Sequence, residues 1–199
     1  RENALRFSFG HWSKQDPQAA AKLALTLPEK ERDSAFSGMD AWAETDPTGA
    51  VAFLKSSPDA AAVTSLTQEI FRQFSANRSG AQYLTEALAM PPGRMRHDAM
   101  RGLFGGWALS DADAGAAAIE KVPEGTLRDA AIQGFNGFAI SRNPNLAIDL
   151  ASRISVASTR DKELITRGRY WIRTDRKAAE AAIRAHTGIP DPVKAEIFK

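Results

Sequence analysis

The residues of this chain with the strongest claim to chemistry are its arginines. Arg32, Arg96, Arg128 and Arg160 fall on multiples of 32, with Thr64 in the vacant place. A guanidinium offers a planar fork of donors that fits carboxylates and phosphates, so such a column along one surface would read a string of those groups. An acidic residue follows closely each time, at Asp33, Asp98, Asp129 and Asp161. That favours a structural duty, in which each guanidinium pairs with its acidic neighbour or with carbonyls at the turn of an adjacent repeat. A second basic set holds Arg160, Lys162, Arg167, Arg169, Arg173, Arg176, Lys177 and Arg184, with Tyr170 and Trp171 among them. Arg169, Arg173 and Arg176 or Lys177 recur at helical spacing, provided that the helix survives past Thr174. Asp161, Glu163, Asp175 and Glu180 dilute the charge, and nucleic-acid sites usually show a denser one. Arg32, Arg96, Arg128, Arg160, Arg167, Arg169, Arg173, Arg176 and Lys177 are therefore the candidate partner-binding residues, with a solvated face as the plainer reading.

Other chemistries find little support. His11, His97 and His186 are far apart, and no pair has the i, i+4 spacing of a helical metal site. His97, between Arg96 and Asp98, has the type to titrate near neutrality. The chain has no cysteine, which excludes disulfides, thiolate metal sites and cysteine nucleophiles. Gly102, Gly105 and Gly106 sit inside a helical pattern, the wrong context for a phosphate-cradling loop. No G-x-S-x-G elbow occurs. Asn77-Arg78-Ser79 matches a glycosylation acceptor, a weak motif at that length. No catalytic residue, metal ligand or cofactor is expected.

The elements that would position these residues form a repeat. Trp12-Ser-Lys-Gln-Asp16-Pro17 is echoed by Trp42-Ala-Glu-Thr-Asp46-Pro47, and more weakly by Trp107 to Asp111, Phe138 to Asn143-Pro144, and Trp171 to Asp175. Phe74-Ser-Ala-Asn77 fills the remaining place. The aromatic anchors Trp12, Trp42, Phe74, Trp107, Phe138 and Trp171 are 30 to 33 residues apart. Asp or Asn before Pro is a helix start, because the side chain caps free N–H groups and Pro fits the first turn. A short alanine-rich helix is predicted after each start: 18–26, 48–55, 112–121 and 146–154. Each stops at a further turn, as at Pro28, Pro58, Pro91-Pro92-Gly93 and Pro123. Glu29, Asp59 and Glu124 then place negative charge in the first turn of a longer second helix, which ends on the anchor.

Within the second helices the apolar residues follow helical spacing, as in Ala35, Met39 and Trp42, or Ala131, Phe135 and Phe138. The anchors are expected to pack between helices. Gly38, Gly102 and Gly134 each lie six residues after an arginine of the column. Glycine within a helix costs up to about 1 kcal/mol against alanine, so its recurrence predicts a close crossing by a neighbouring helix. No single hairpin buries its apolar face alone, and each needs its neighbours.

The pattern W-[AS]-x-x-[DN]-P-x-x-A, followed by Leu-Pro and an Arg-Asp-x-Ala stretch, resembles helical-hairpin repeats of large bacterial proteins that have no assigned activity. It is broadly similar to tetratricopeptide and HEAT arrays in period and architecture, although the Leu-Gly pair and tyrosine of the tetratricopeptide motif have no counterpart here. The resemblance implies a superhelical scaffold for protein–protein contact. The expected fold is all-α: one domain over 1–199, a right-handed α/α superhelix (α-solenoid) of about six helical-hairpin repeats.

Charge and hydropathy bound the rest. Residues 1–150 hold 15 Lys/Arg against 18 Asp/Glu, and residues 151–199 hold 11 against 6, so the basic excess lies at the end. No apolar run approaches the roughly 18 residues of a membrane span. Arg1 to Lys14 does not read as a signal peptide, and Arg1 in place of Met reads as an excised domain or a processed product, which leaves the compartment open. The leading expectation is a scaffold that binds a protein or peptide. The alternatives are a polyanion site on the last repeats, nucleic acid included, and a platform for a catalytic domain outside this stretch.

Overall fold

The computed structural model of the chain describes residues 2–76 and 80–199. Asn77, Arg78 and Ser79 lie outside the described residues, and with them the glycosylation motif. The described residues form fourteen helices and no strand: α1 (Glu2–Trp12), α2 (Pro17–Ala24), α3 (Glu29–Phe36), α4 (Ala41–Thr45), α5 (Pro47–Ser56), α6 (Thr64–Phe74), α7 (Gly80–Leu88), α8 (Arg94–Ser110), α9 (Ala112–Ile119), α10 (Thr126–Ala139), α11 (Pro144–Ser152), α12 (Ala157–Thr174), α13 (Arg176–Ala185) and α14 (Asp191–Ile197). None of these is long and apolar enough to cross a membrane.

The short helices start where their caps dictate. Asp16, Asp46, Asp111, Asn143 and Asp175 each accept a hydrogen bond from the backbone N–H three residues on, at 2.9–3.2 Å. This is the capping geometry that satisfies a helix's free first-turn donors. Long helices begin differently. Gly93 and Gly125 precede α8 and α10 at φ +94° and +114°, a left-handed backbone that turns the chain sharply after Pro92 and Pro123.

Two local expectations need correction. The helix expected from Glu29 to Trp42 is broken at 37–40 into α3 and α4, so Gly38 lies in the break. Asp59 and Glu124 precede their helices rather than entering the first turn. Asp59 instead accepts from the Ala61 and Ala62 N–H groups at 2.9 and 3.2 Å, holding the turn that leads to α6.

Helices pack in chain order. The long helices α6, α8 and α10 lie side by side, α1 lies on α3, and α12 on α14. Each of the short helices α2, α7, α9 and α11 touches the long helix before it and the one after it. The core is the seam between these layers. Its largest fully buried side chains include Trp42, Phe36, Phe71, Phe104 and Phe135. Ala35, Met39 and Trp42 are all fully buried, as their spacing predicts.

Candidate interaction groove

The glycine slots allow close approaches between neighbouring helices. A Cβ on Gly102 would stand closer than 3.0 Å to the Gln68 carbonyl oxygen, one on Gly106 to that of Arg72, and one on Gly134 to that of Arg101. Backbones this close leave no room for side chains between them, so the flanking residues stand at the rim and enclose a groove of roughly 340 Å³. Gln68, Glu69 and Arg72 of α6, Arg101 of α8, and Gln133 and Phe138 of α10 form its sides. Gly105 and Gly137 lie among them, and a Cβ on Gly137 would meet nothing within 4 Å. The α10 backbone is bare at that point.

A polar ladder fixes the rim. Asp98, 1% exposed, accepts from Thr64 Oγ1 and Gln68 Nε2, both at 3.0 Å, and from Arg101 Nη1 at 3.3 Å. The other side of the Arg101 fork donates to Gln133 Oε1, from Nε at 3.1 Å and Nη2 at 2.8 Å. One buried carboxylate thus ties α6 to α8, and one guanidinium ties α8 to α10. Arg72 grips Glu69 through both Nε and Nη2. These bonds hold long side chains in set rotamers, which lowers the entropy lost when a ligand orders them.

None of the nine candidate Lys/Arg residues lines this groove. Arg96 and Arg128 use Nε identically, donating at 2.8 Å to the Met90 and Val122 carbonyls six residues upstream. They hold the turns before α8 and α10 within their own repeats. Arg32 Nε is buried without a hydrogen-bond partner. Arg160 pairs with Asp161 at 2.9 Å. Arg167 donates to the largely buried Glu163 at 2.6 Å, and Arg176 to Glu180 at 2.8 Å. Arg169 reaches Glu196, whose carboxyl is held below its ordinary range by Lys199 first and Arg169 second. Helix α12 ends at Thr174, so Arg173 and Lys177 lie on different helices, both exposed.

The anchors divide. Trp42, Phe74, Trp107 and Trp171 are buried, and Trp12 is half-buried against Phe9. Phe138 is 38% exposed and is not an anchor. The capping residue's N–H bonds to the carbonyl four residues back, at Trp12, Trp42, Trp107 and Trp171, and in the fifth copy Asn143 bonds to Ala139. Ala139 therefore holds the anchor slot. Phe138, one residue earlier, is turned about 100° around the helix axis and leans into the groove against Gly105. Of the histidines, His97 bridges the Gly93 carbonyl at 2.6 Å and Thr126 Oγ1 at 3.1 Å, and His186 lies 3.7 Å from Asp149. No group of three metal-ligating side chains occurs among the described residues.

Arg72 and Arg101, the two guanidinium groups of the groove, lie outside the multiples-of-32 column. Only Arg101 adjoins the glycine-rich run Gly102 to Gly106, and nothing local in the sequence marks Arg72. Comparison with protein-family models, with curated proteins and with solved structures finds no match. Geometry alone therefore gives the class: an all-helical protein whose long helices pack in chain order around a glycine-floored polar groove.

Proposed function

We propose that the chain is a non-enzymatic interaction scaffold, a right-handed α-solenoid of helical-hairpin repeats that binds an extended segment of a partner protein. The segment lies across α6, α8 and α10. Phe138 carries this reading: an aromatic ring 38% exposed, beside the bare backbone of Gly137 and a rim of fixed hydrogen-bonding side chains. Partner sites concentrate their affinity in such aromatic and arginine side chains. Gln68, Arg101 and Gln133 supply donors and acceptors to a peptide backbone, while Phe138 packs on an apolar residue of the segment. The resemblance to hairpin-repeat scaffolds points the same way. The polyanion reading has less to support it, because Arg160, Arg167, Arg169 and Arg176 are each paired with a carboxylate.

The test is selection of a random peptide library on the full chain, followed by anisotropy titrations of the enriched peptides. Phe138→Glu and Gly137→Leu should each weaken binding by about tenfold or more, equivalent to roughly 1.4 kcal/mol. Phe7→Ser, at an exposed ring outside the groove, should leave it unchanged. Selection of no peptide, or of peptides indifferent to Phe138→Glu, would refute the proposal.

A further inference from the structure

The close crossing of α8 and α10 has a second copy, between α1 and α3. A shift of 95 residues carries Arg101 and Gly105 onto Arg6 and Gly10, and one of 96 carries Gly134 onto Gly38. The contacts match as well as the residues. A Cβ on Gly38 would stand closer than 3.0 Å to the Arg6 carbonyl oxygen, as one on Gly134 would to that of Arg101. In the other direction, a Cβ on Gly10 would lie 2.8 Å from the Gly38 carbonyl oxygen, and one on Gly105 3.4 Å from that of Gly134. The same two-way approach of small residues leaves a groove here too, of roughly 510 Å³, with Arg6 on one side and Ser37 and Asp40 on the other.

What differs is the fate of the arginine. Arg101 is held from within, by Asp98 three residues before it and by Gln133 beside Gly134. The matching residues in the α1–α3 groove are Asn3 and Ser37. Asn3 carries no charge, and the Ser37 hydroxyl is turned to its own helix, donating to the Ser34 carbonyl at 2.9 Å. Arg6 is exposed, and so are His11 and Lys14 further along the same groove. Among the described residues none of these three has an ion-pair partner. The acid of the lining, Asp40, accepts from the Ala41 N–H at 3.1 Å.

We propose that the α1–α3 groove is a second binding site, for an acidic segment of a partner protein, and that Arg6 takes a carboxylate of that segment. An unpaired guanidinium presents a planar fork of donors that fits a carboxylate, and the charge-assisted bonds so formed are the strong ones. In the α8–α10 groove the chain supplies that carboxylate itself, from Asp98; here it supplies none. Lys14 and His11 extend the positive side of the groove, and complementary charge of this kind selects and steers a partner. The array is too sparse for nucleic acid, whose sites carry denser positive charge over a larger area. The site stands apart from the α6–α10 groove and does not rest on the reading of Phe138.

Gly137→Leu fills the other groove at a point of open space, so a random peptide library selected on this variant of the full chain reports the second site. The enriched peptides should be rich in Asp and Glu, and fluorescein-labelled copies should bind with and without Gly137→Leu alike. Arg6→Gln should weaken them by about threefold or more, the worth of a charge-assisted bond at an exposed site. Lys14→Gln should act in the same direction. Both positions are exposed, so unfolding midpoints equal to the parent's are expected for both variants. Replacing the acids of a peptide with their amides should weaken it at least as much as Arg6→Gln does. Selection of no acidic peptide, or equal binding by parent and Arg6→Gln, would overturn the proposal. Tighter binding of a single-stranded oligonucleotide than of the peptides would overturn it too, in favour of nucleic acid.

Discussion

The α-carbon of Gly134 lies against the carbonyl oxygen of Arg101, so close that any Cβ at 134 would intrude within 3.0 Å of it. Three residues further along α10, Gly137 has open space where its Cβ would be. The two glycines share a helix and a residue type but have opposite duties. Gly134→Ala should destabilise the protein by about 1–3 kcal/mol, because a close helix crossing has no slack for an added methyl. Gly137→Ala should stabilise it by up to about 1 kcal/mol, by helix propensity alone. Urea unfolding of the two variants checks both signs, and a loss at both positions would contradict the crossing geometry.

Trp42 is fully buried, with its ring 5.2 Å from that of Phe53. Trp42→Ala should cost about 3–5 kcal/mol as a large-to-small change in a packed core. Phe138→Ala, at the displaced anchor, should cost about 1 kcal/mol or less. Thermal unfolding separates the two. Equal costs would mean that Phe138 is packed as an anchor after all.

Asp98 is buried among Thr64, Gln68 and Arg101. Asp98→Ala should destabilise by about 3 kcal/mol, since it strands the Gln68 and Arg101 donors that the carboxylate now satisfies. It should also loosen the rim, giving weaker binding of any groove-selected peptide. A variant with parent-like unfolding would show that the ladder contributes no stability.

Glu163 is 9% exposed and takes its ion pair from Arg167, whereas Arg173 is exposed on the same helix. Arg167→Ala should cost about 1–3 kcal/mol by leaving a carboxylate largely buried without its partner. Arg173→Ala should change stability by less than about 0.5 kcal/mol, as for most surface positions. Denaturant midpoints of the two variants provide the comparison.

Much of this fold was legible in the residues. The Asp-Pro and Asn-Pro starts at 16, 46 and 143 named the short helices to within two residues, because a cap acts on donors only three positions away. Gly102 and Gly134 marked close crossings correctly, because a helical glycine without a packing partner is a cost that rarely recurs by accident; Gly38 also lies against a neighbouring carbonyl, that of Arg6, but in the break between α3 and α4 rather than in a helix. The groove was less legible. Its Arg72 and Arg101 look like any other helix-surface arginine until α6 and α10 are placed on either side of α8.

Local chemistry along the chain thus determined where helices begin, how often they recur and which glycines lie under a neighbour. The tertiary structure alone decided what the arginine column does, since a guanidinium's partners depend on which carbonyls the fold brings within 3 Å. It also decided that Phe138 faces a groove rather than the core, through a one-residue shift that the spacing of aromatics conceals. The division of the core into two clusters, with α11 contributing to both, belongs to the same group. Whether two helices touch depends on shapes some thirty residues apart, and no local pattern contains both.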